Sequence, residues 1–175
     1  SKNIVRAYRN PNDLEARSNM ILASSMAGIG FGNAGVHLCH GMSYPVSGMV
    51  KNFIPHGLTS DHPIIPHGLS VILNAPAVFK FTGEACPERH LKVAKIMGAK
   101  INNIKDPKNE AGLILSNEII KLMKDLEVPN GLSAIGFNKN DIPNLIKGTL
   151  PQHRVTKLSP RSANAEDLNK LFNDS

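Results

Sequence analysis

Between Pro107 and Leu126 the apolar residues Ala111, Leu115, Ile119, Leu122, Met123 and Leu126 recur in helical steps of three and four. That period lines one face of an α-helix and cannot line one face of a strand, where side chains alternate. No alternating run of comparable length occurs elsewhere in the 175 residues. The chain must therefore bury its apolar side chains helix against helix.

Start and stop signals divide the rest of the chain in the same way. Asn10 as a cap, Pro11 in the first turn, and Asp13 and Glu15 near the positive end of the dipole open a helix. It runs through Met20, Leu22 and Met26 into a glycine-studded segment, 28–35. A second helix is predicted over 36–51, followed by a loop carrying Pro55, Gly57, Pro63 and Pro66. The third begins near His67 and should kink or end at Pro76. Pro87 opens a fourth that Gly98 stops. Short helices are expected at 141–147 and 165–172, with an extended surface segment at 148–161. The expected fold is all-α, a single domain over 1–175 with six to eight helices.

Composition narrows the function classes. With 41% hydrophobic and 19% charged residues the chain is neither disordered nor fibrous. Two cysteines, Cys39 and Cys86, do not make a disulfide scaffold and fit a reducing compartment. No stretch reaches the roughly 20 apolar residues of a membrane span. The least polar run, 20–39, is broken by Ser24, Ser25, Asn33 and four glycines, and reads as a buried helix. The net charge of +6 is scattered in ones and twos without Trp, so neither a basic stripe nor a stacking platform for nucleic acid is expected. The N-terminus has no apolar targeting segment, and a chain that begins with Ser reads as part of something longer.

Histidine placement is the main anomaly. Five of seven (His37, His40, His56, His62 and His67) fall within 31 residues. On a helix His37, His40 and Tyr44 share one face. His67, in Pro66-His67-Gly68, stands where a new helix begins. An imidazole on one helix and another at the head of the next can converge on a metal ion, and Gly41 and Gly68 let backbones approach. Histidines packed without metal are the alternative.

Gly30-Phe31-Gly32-Asn33-Ala34-Gly35 matches the dinucleotide pattern GxGxxG, but a helix precedes it instead of a strand, and the acid expected about 20 residues later is missing. Close helix packing is the expected role of these glycines. Cys39 and His40 are adjacent and point in different directions on a helix, so they do not form an activated pair. Cys86, before Pro87, is read as a packing or surface thiol.

The stretch from Gly32 to Pro45, GNAGVHLCHGMSYP, followed by Ile65-Pro66-His67-Gly68-Leu69-Ser70, resembles the C-terminal half of the iron-containing alcohol dehydrogenase family. Further matches lie at Pro87-Glu88-Arg89-His90-Leu91, Gly131-Leu132-Ser133-Ala134, Asp141-Ile142-Pro143, 147–152 and 154–158. Within that family the chain is most similar to the hydroxyacid-oxoacid transhydrogenase branch. The resemblance implies the helical C-terminal domain of the dehydroquinate synthase-like fold, with His40 and His67 as metal ligands. It places Tyr44 where other members carry a proton-relaying His. A phenol, with an unperturbed pKa of about 10, is a poorer relay near pH 7 than imidazole.

Several further expectations rest on the resemblance alone. The cofactors would be a divalent metal, Fe²⁺ or Zn²⁺, and NAD(H), the latter held mainly by an N-terminal domain outside this chain. The family's other two ligands, an Asp and a His four residues later, have no counterpart before Gly28, where Asp13 is followed by Arg17. The substrates would be small hydroxy and oxo acids, 4-hydroxybutyrate oxidation being coupled to 2-oxoglutarate reduction through bound NAD. The full-length protein would be a mitochondrial homo-oligomer. A conventional NAD(P)-dependent alcohol dehydrogenase and a helical interaction module without activity of its own are the alternatives. Lys51, Lys80 and Arg89 are conceivable substrate cations, and the sequence does not choose among them.

Overall fold

The computed structural model describes residues 1–175. Nine α-helices follow one another: α1 (Ile4–Arg9), α2 (Leu14–Ala34), α3 (Leu38–Gly48), α4 (His67–Thr82), α5 (Pro87–Met97), α6 (Pro107–Asp125), α7 (Ile142–Thr149), α8 (His153–Thr156) and α9 (Ala165–Asp174). Two 3₁₀ turns, Leu132–Ile135 and Lys139–Asp141, lead into α7, and there is no strand. The count exceeds the expected six to eight because α1 and α8 are too short to show a hydrophobic period.

The local signals act largely as read. Asp106 caps α6 by accepting from the Asn109 amide, and Glu110 reaches back to the Asp106 amide at 2.8 Å. Gly98 ends α5 at φ 120°, where its amide donates to the Ala94 and Lys95 carbonyls. The cap of α2 is Asp13, not Asn10: its carboxylate accepts from the Ala16 amide while Arg6 of α1 bridges Asp13 and Glu15. Pro76 does not end α4. The helix continues to Thr82 because Ala75, Pro76, Ala77 and Val78 are all buried, and tertiary contact outweighs the one lost backbone bond. The 148–161 segment is not extended, since α8 forms there and buries Val155.

The core joins Leu38, Met42 and Val46 of α3, Leu73 and Val78 of α4, Leu115, Ile119 and Met123 of α6, Leu145 of α7 and Leu168, Leu171 and Phe172 of α9. α4 packs between α3 and α6, α5 lies on α6, and α7 and α8 lie on α3. α4 and α6 approach each other backbone to backbone at two glycines, Gly83 just beyond α4 and Gly112 on α6. A Cβ at Gly112 would stand 2.7 Å from the Lys80 carbonyl oxygen and 2.9 Å from that of Phe79.

α2 departs from expectation. The part of the 20–39 run that lies on α2 is not buried, for Ile21 is 70% exposed and Ile29 64%; only Leu38 and Cys39, at the run's end on α3, reach the core, and Ala16 is the one buried residue of α2. Its glycines Gly28, Gly30 and Gly32 have nothing within 4 Å of a Cβ position and mediate no close packing, whereas Gly35, at φ 75° just beyond the helix, is closely approached by the Leu158 side chain. Apolar side chains project from every side of this helix, so no single face could anchor it to the core.

Candidate metal centre

His40 lies in the first turn of α3, and His67 is the first residue of α4. Packing of α3 on α4 brings their rings together, with centroids 5.2 Å apart and planes inclined at 58°. Each head is fixed in the same way. The Ser43 hydroxyl donates to the His40 carbonyl at 2.8 Å, and the Ser70 hydroxyl donates to the His67 carbonyl at 2.8 Å. Both serines are fully buried. Serine three residues after each histidine is a repeated spacing already visible in the sequence.

Burial, and then the nearby His67, lowers the pKa of His40 below the usual imidazole value. His40 is therefore neutral at pH 7, the form that ligates a metal. No group of three or more His, Cys, Asp or Glu side chains is placed so that it could hold a metal ion. The pair fits two coordination positions of a divalent cation and does not complete a shell.

The other candidates separate. His37 precedes α3 with φ −132° and ψ −140°, off the helix, so it does not share a face with His40 and Tyr44. Its ring meets Phe79 edge-on at 5.9 Å and lines a cavity of about 370 Å³ with Cys86, Arg89 and His90. Burial, then His90 and His40, lower its pKa. His56 and His62 are exposed in the loop before α4, where His62 Nδ1 lies 2.6 Å from Asp61 Oδ1.

Neither thiol is a nucleophile here. Cys39 is buried and its pKa is pushed up to about 12 by desolvation. Cys86 stands 3.4 Å from His90 Nδ1, a pairing at i, i+4 that sequence reasoning missed. That nitrogen carries the proton, since it donates to the Cys86 carbonyl at 2.9 Å, and Nε2 lies 2.9 Å from the Thr82 hydroxyl. His90 ties the start of α5 to the end of α4 and has no free base to offer.

Tyr44 stands one turn beyond His40 on the same side of α3. Its hydroxyl accepts from Arg154 Nη2 at 3.5 Å, a contact spanning 110 residues. Gly41 permits it: a Cβ there would come within 2.6 Å of Thr156 Cγ2 and 3.5 Å of Val155 Cγ2, so α8 could not lie so close on α3. The dinucleotide reading fails on geometry, because Gly30 to Ala34 continue α2 without a strand before them or a helix N-terminus at Gly32. No helix is long and apolar enough to cross a membrane.

Comparison with known proteins bears on the family and the fold. The sequence model of the Fe-containing alcohol dehydrogenase family, C-terminal, matches residues 1–175. The chain is 59% identical over 172 residues to hydroxyacid-oxoacid transhydrogenase, mitochondrial, of Bos taurus, covering 98% of this chain and 36% of that protein. It is 58% identical over 172 residues to the Mus musculus protein of the same name, covering 98% and 37%. The chain thus spans little more than a third of the length of these curated relatives. Among solved structures, an alcohol dehydrogenase from Oenococcus oeni superposes with a TM-score of 0.84 at 25% identity, over 99% of this chain and 41% of that one. A 1,3-propanediol oxidoreductase has the same fold with a TM-score of 0.83 at 24% identity, over 98% and 41%. The chain belongs to the Fe-containing alcohol dehydrogenase family, of which it carries the C-terminal helical part.

Proposed function

We propose that the chain is the metal-binding part of a mitochondrial hydroxyacid-oxoacid transhydrogenase, in which 4-hydroxybutyrate oxidation is coupled to 2-oxoglutarate reduction through tightly held NAD. The observation that carries this reading is the convergence of His40 and His67 at the heads of two packed helices. The names of relatives 58–59% identical to the chain support the substrate class and the compartment.

His40 and His67 would hold the divalent cation, Fe²⁺ or Zn²⁺, through neutral imidazoles, with the buried Ser43 and Ser70 keeping the two helix heads in place. A divalent cation at such a site acts as a Lewis acid on the substrate oxygen. Tyr44 is the candidate to hold or pass the proton of that oxygen, its own hydroxyl being polarised by the Arg154 guanidinium. The nicotinamide would be held mainly by the remaining length that the relatives possess. The exposed apolar faces of α2 accord with a chain that works inside a larger body.

The test uses the full-length protein. Turnover of 4-hydroxybutyrate is expected only when 2-oxoglutarate is also added. Steady turnover with NAD⁺ alone would instead make it a conventional dehydrogenase. In the same assay Tyr44→Phe is expected to lower kcat on the order of 10²-fold with little change in KM, as loss of a proton donor does. An unchanged kcat would remove Tyr44 from the mechanism.

A further inference from the structure

We propose that Arg154 binds the carboxylate of the hydroxy- or oxo-acid substrate beside the His40–His67 pair. The inference rests on the functional reading above and adds to it the group that would tell an acid from a neutral alcohol.

Three of the chain's cations can be set aside by what surrounds them. Lys51 is paired with Asp141 at 2.6 Å. Lys80 lines a groove with Asp167 and Asp174 of α9. Arg89 faces the separate cavity of His37 and His90. Arg161 is likewise committed, lying over the Phe81 ring at 4.0 Å and within 3.7 Å of Glu84.

Arg154 differs from all four. Its guanidinium is exposed, joins none of the chain's ion pairs, and makes its one side-chain hydrogen bond to Tyr44. A guanidinium has five N–H donors in a planar fork that matches a carboxylate with two parallel bonds. One bond to a phenol leaves that capacity almost intact.

The surroundings favour an anion. No Asp or Glu occurs from Ala16 to Ser60, from His62 to Gly83, or from Ile142 to Ala165. These stretches contain all of α3, α4 and α8, the helices that carry His40, Tyr44, His67 and Arg154. Lys157 follows Arg154 by one turn and has no acidic partner either. A substrate carboxylate entering here meets positive charge and no carboxylate of these three helices. Arg154 reaches this position only because Gly41 admits α8 onto α3.

The experiment compares Arg154→Met and Arg154→Lys with wild type in the full-length, metal- and nicotinamide-loaded enzyme. The readout is the ratio of kcat/KM for 4-hydroxybutyrate to that for 1-butanol, which cancels any general effect on Tyr44 or on folding. Arg154→Met is expected to lower this ratio about 10- to 100-fold, mainly through the KM of the acid, and Arg154→Lys to restore part of it. Butyrate, titrated as an unreactive acid by calorimetry and as an inhibitor of butanol oxidation, should lose affinity by a similar factor in Arg154→Met. An unchanged ratio and unchanged butyrate affinity, or equal losses on acid and alcohol with no rescue by Lys, overturn the assignment. The dependence on 2-oxoglutarate is read separately. If wild type runs on NAD⁺ alone, the transhydrogenase reading fails while the ratio still judges Arg154. If it does not oxidise the acid at all, the butyrate affinities decide.

Discussion

Replacing His67 by Ala is expected to weaken the hold of the full-length protein on Fe²⁺ by about 10²- to 10³-fold, the share of one ligand when a four-ligand shell contributes roughly 10–16 kcal/mol. The fold should barely notice. His67 is exposed at the first position of α4, where a substitution to Ala changes stability by within about 0.5 kcal/mol. Activity and metal content should therefore collapse together while the unfolding midpoint stays in place. The measurement is metal analysis after dialysis against chelator, with a denaturant titration of the apo-protein alongside. Stoichiometric metal surviving in His67→Ala would show that the paired rings are a packing contact and nothing more. His40→Ala should behave similarly at the metal. It should cost more stability, because His40 is partly buried beside the core residues Cys39 and Met42.

Gly112→Ala should show the reverse pattern, a large loss of stability at a position far from any chemistry. The new Cβ would meet the Lys80 and Phe79 carbonyl oxygens at 2.7 and 2.9 Å and the Lys80 Cα at 3.0 Å. All three are backbone atoms, so no rotamer change relieves the overlap, and α6 must move away from α4. Overpacking of this kind costs about 1–3 kcal/mol, and the rigid backbone on the far side argues for the upper part of that range. For a chain of this size the corresponding fall in Tm is about 4–12 °C. Thermal and urea unfolding of the variant provide the check, and a shift below 0.5 kcal/mol would mean that the crossing yields more easily than its geometry indicates.

These two positions mark the border between what local chemistry writes into a sequence and what it does not. The helix of Pro107 to Asp125 was legible because its apolar residues recur in local steps of three and four behind an opening proline. Its partner was not. Gly112 falls in a helix where glycine is a poor choice by propensity, and only the approach of α4 explains it. The opposite error concerned Gly30 and Gly32, which were expected to pack closely together with Gly35: open space surrounds the first two, and only Gly35 is approached, by Leu158. A glycine removes a side chain, and the sequence does not record whether another helix fills the space.

The candidate site divides along the same line. Motif resemblance placed His40 and His67 at the heads of two helices, and the fold set their rings 5.2 Å apart. Helical spacing alone could not separate His37 from His40, since it puts both on one face. The chain turns at His37, and its ring goes to Phe79. Of the two outcomes expected at Pro76, the helix end did not occur, because a breaker's local penalty of about 3 kcal/mol is less than the burial of Ala75, Ala77, Val78 and the proline itself contributes.

By itself, then, the sequence determined the all-helical class and the starts of α4, α5 and α6, while His40 and His67 were named only by motif resemblance. Caps, proline and periodicity act through hydrogen bonds and sterics inside a single turn or two, so they survive without a partner. Tertiary structure alone decided which helices touch. It ran α4 through its proline, left α2 outside the core, and set Arg154 against Tyr44 across 110 residues. These outcomes depend on the summed packing of surfaces remote in the chain, where no local signal competes and the shape of a neighbour, such as the missing Cβ of Gly41, chooses the contact.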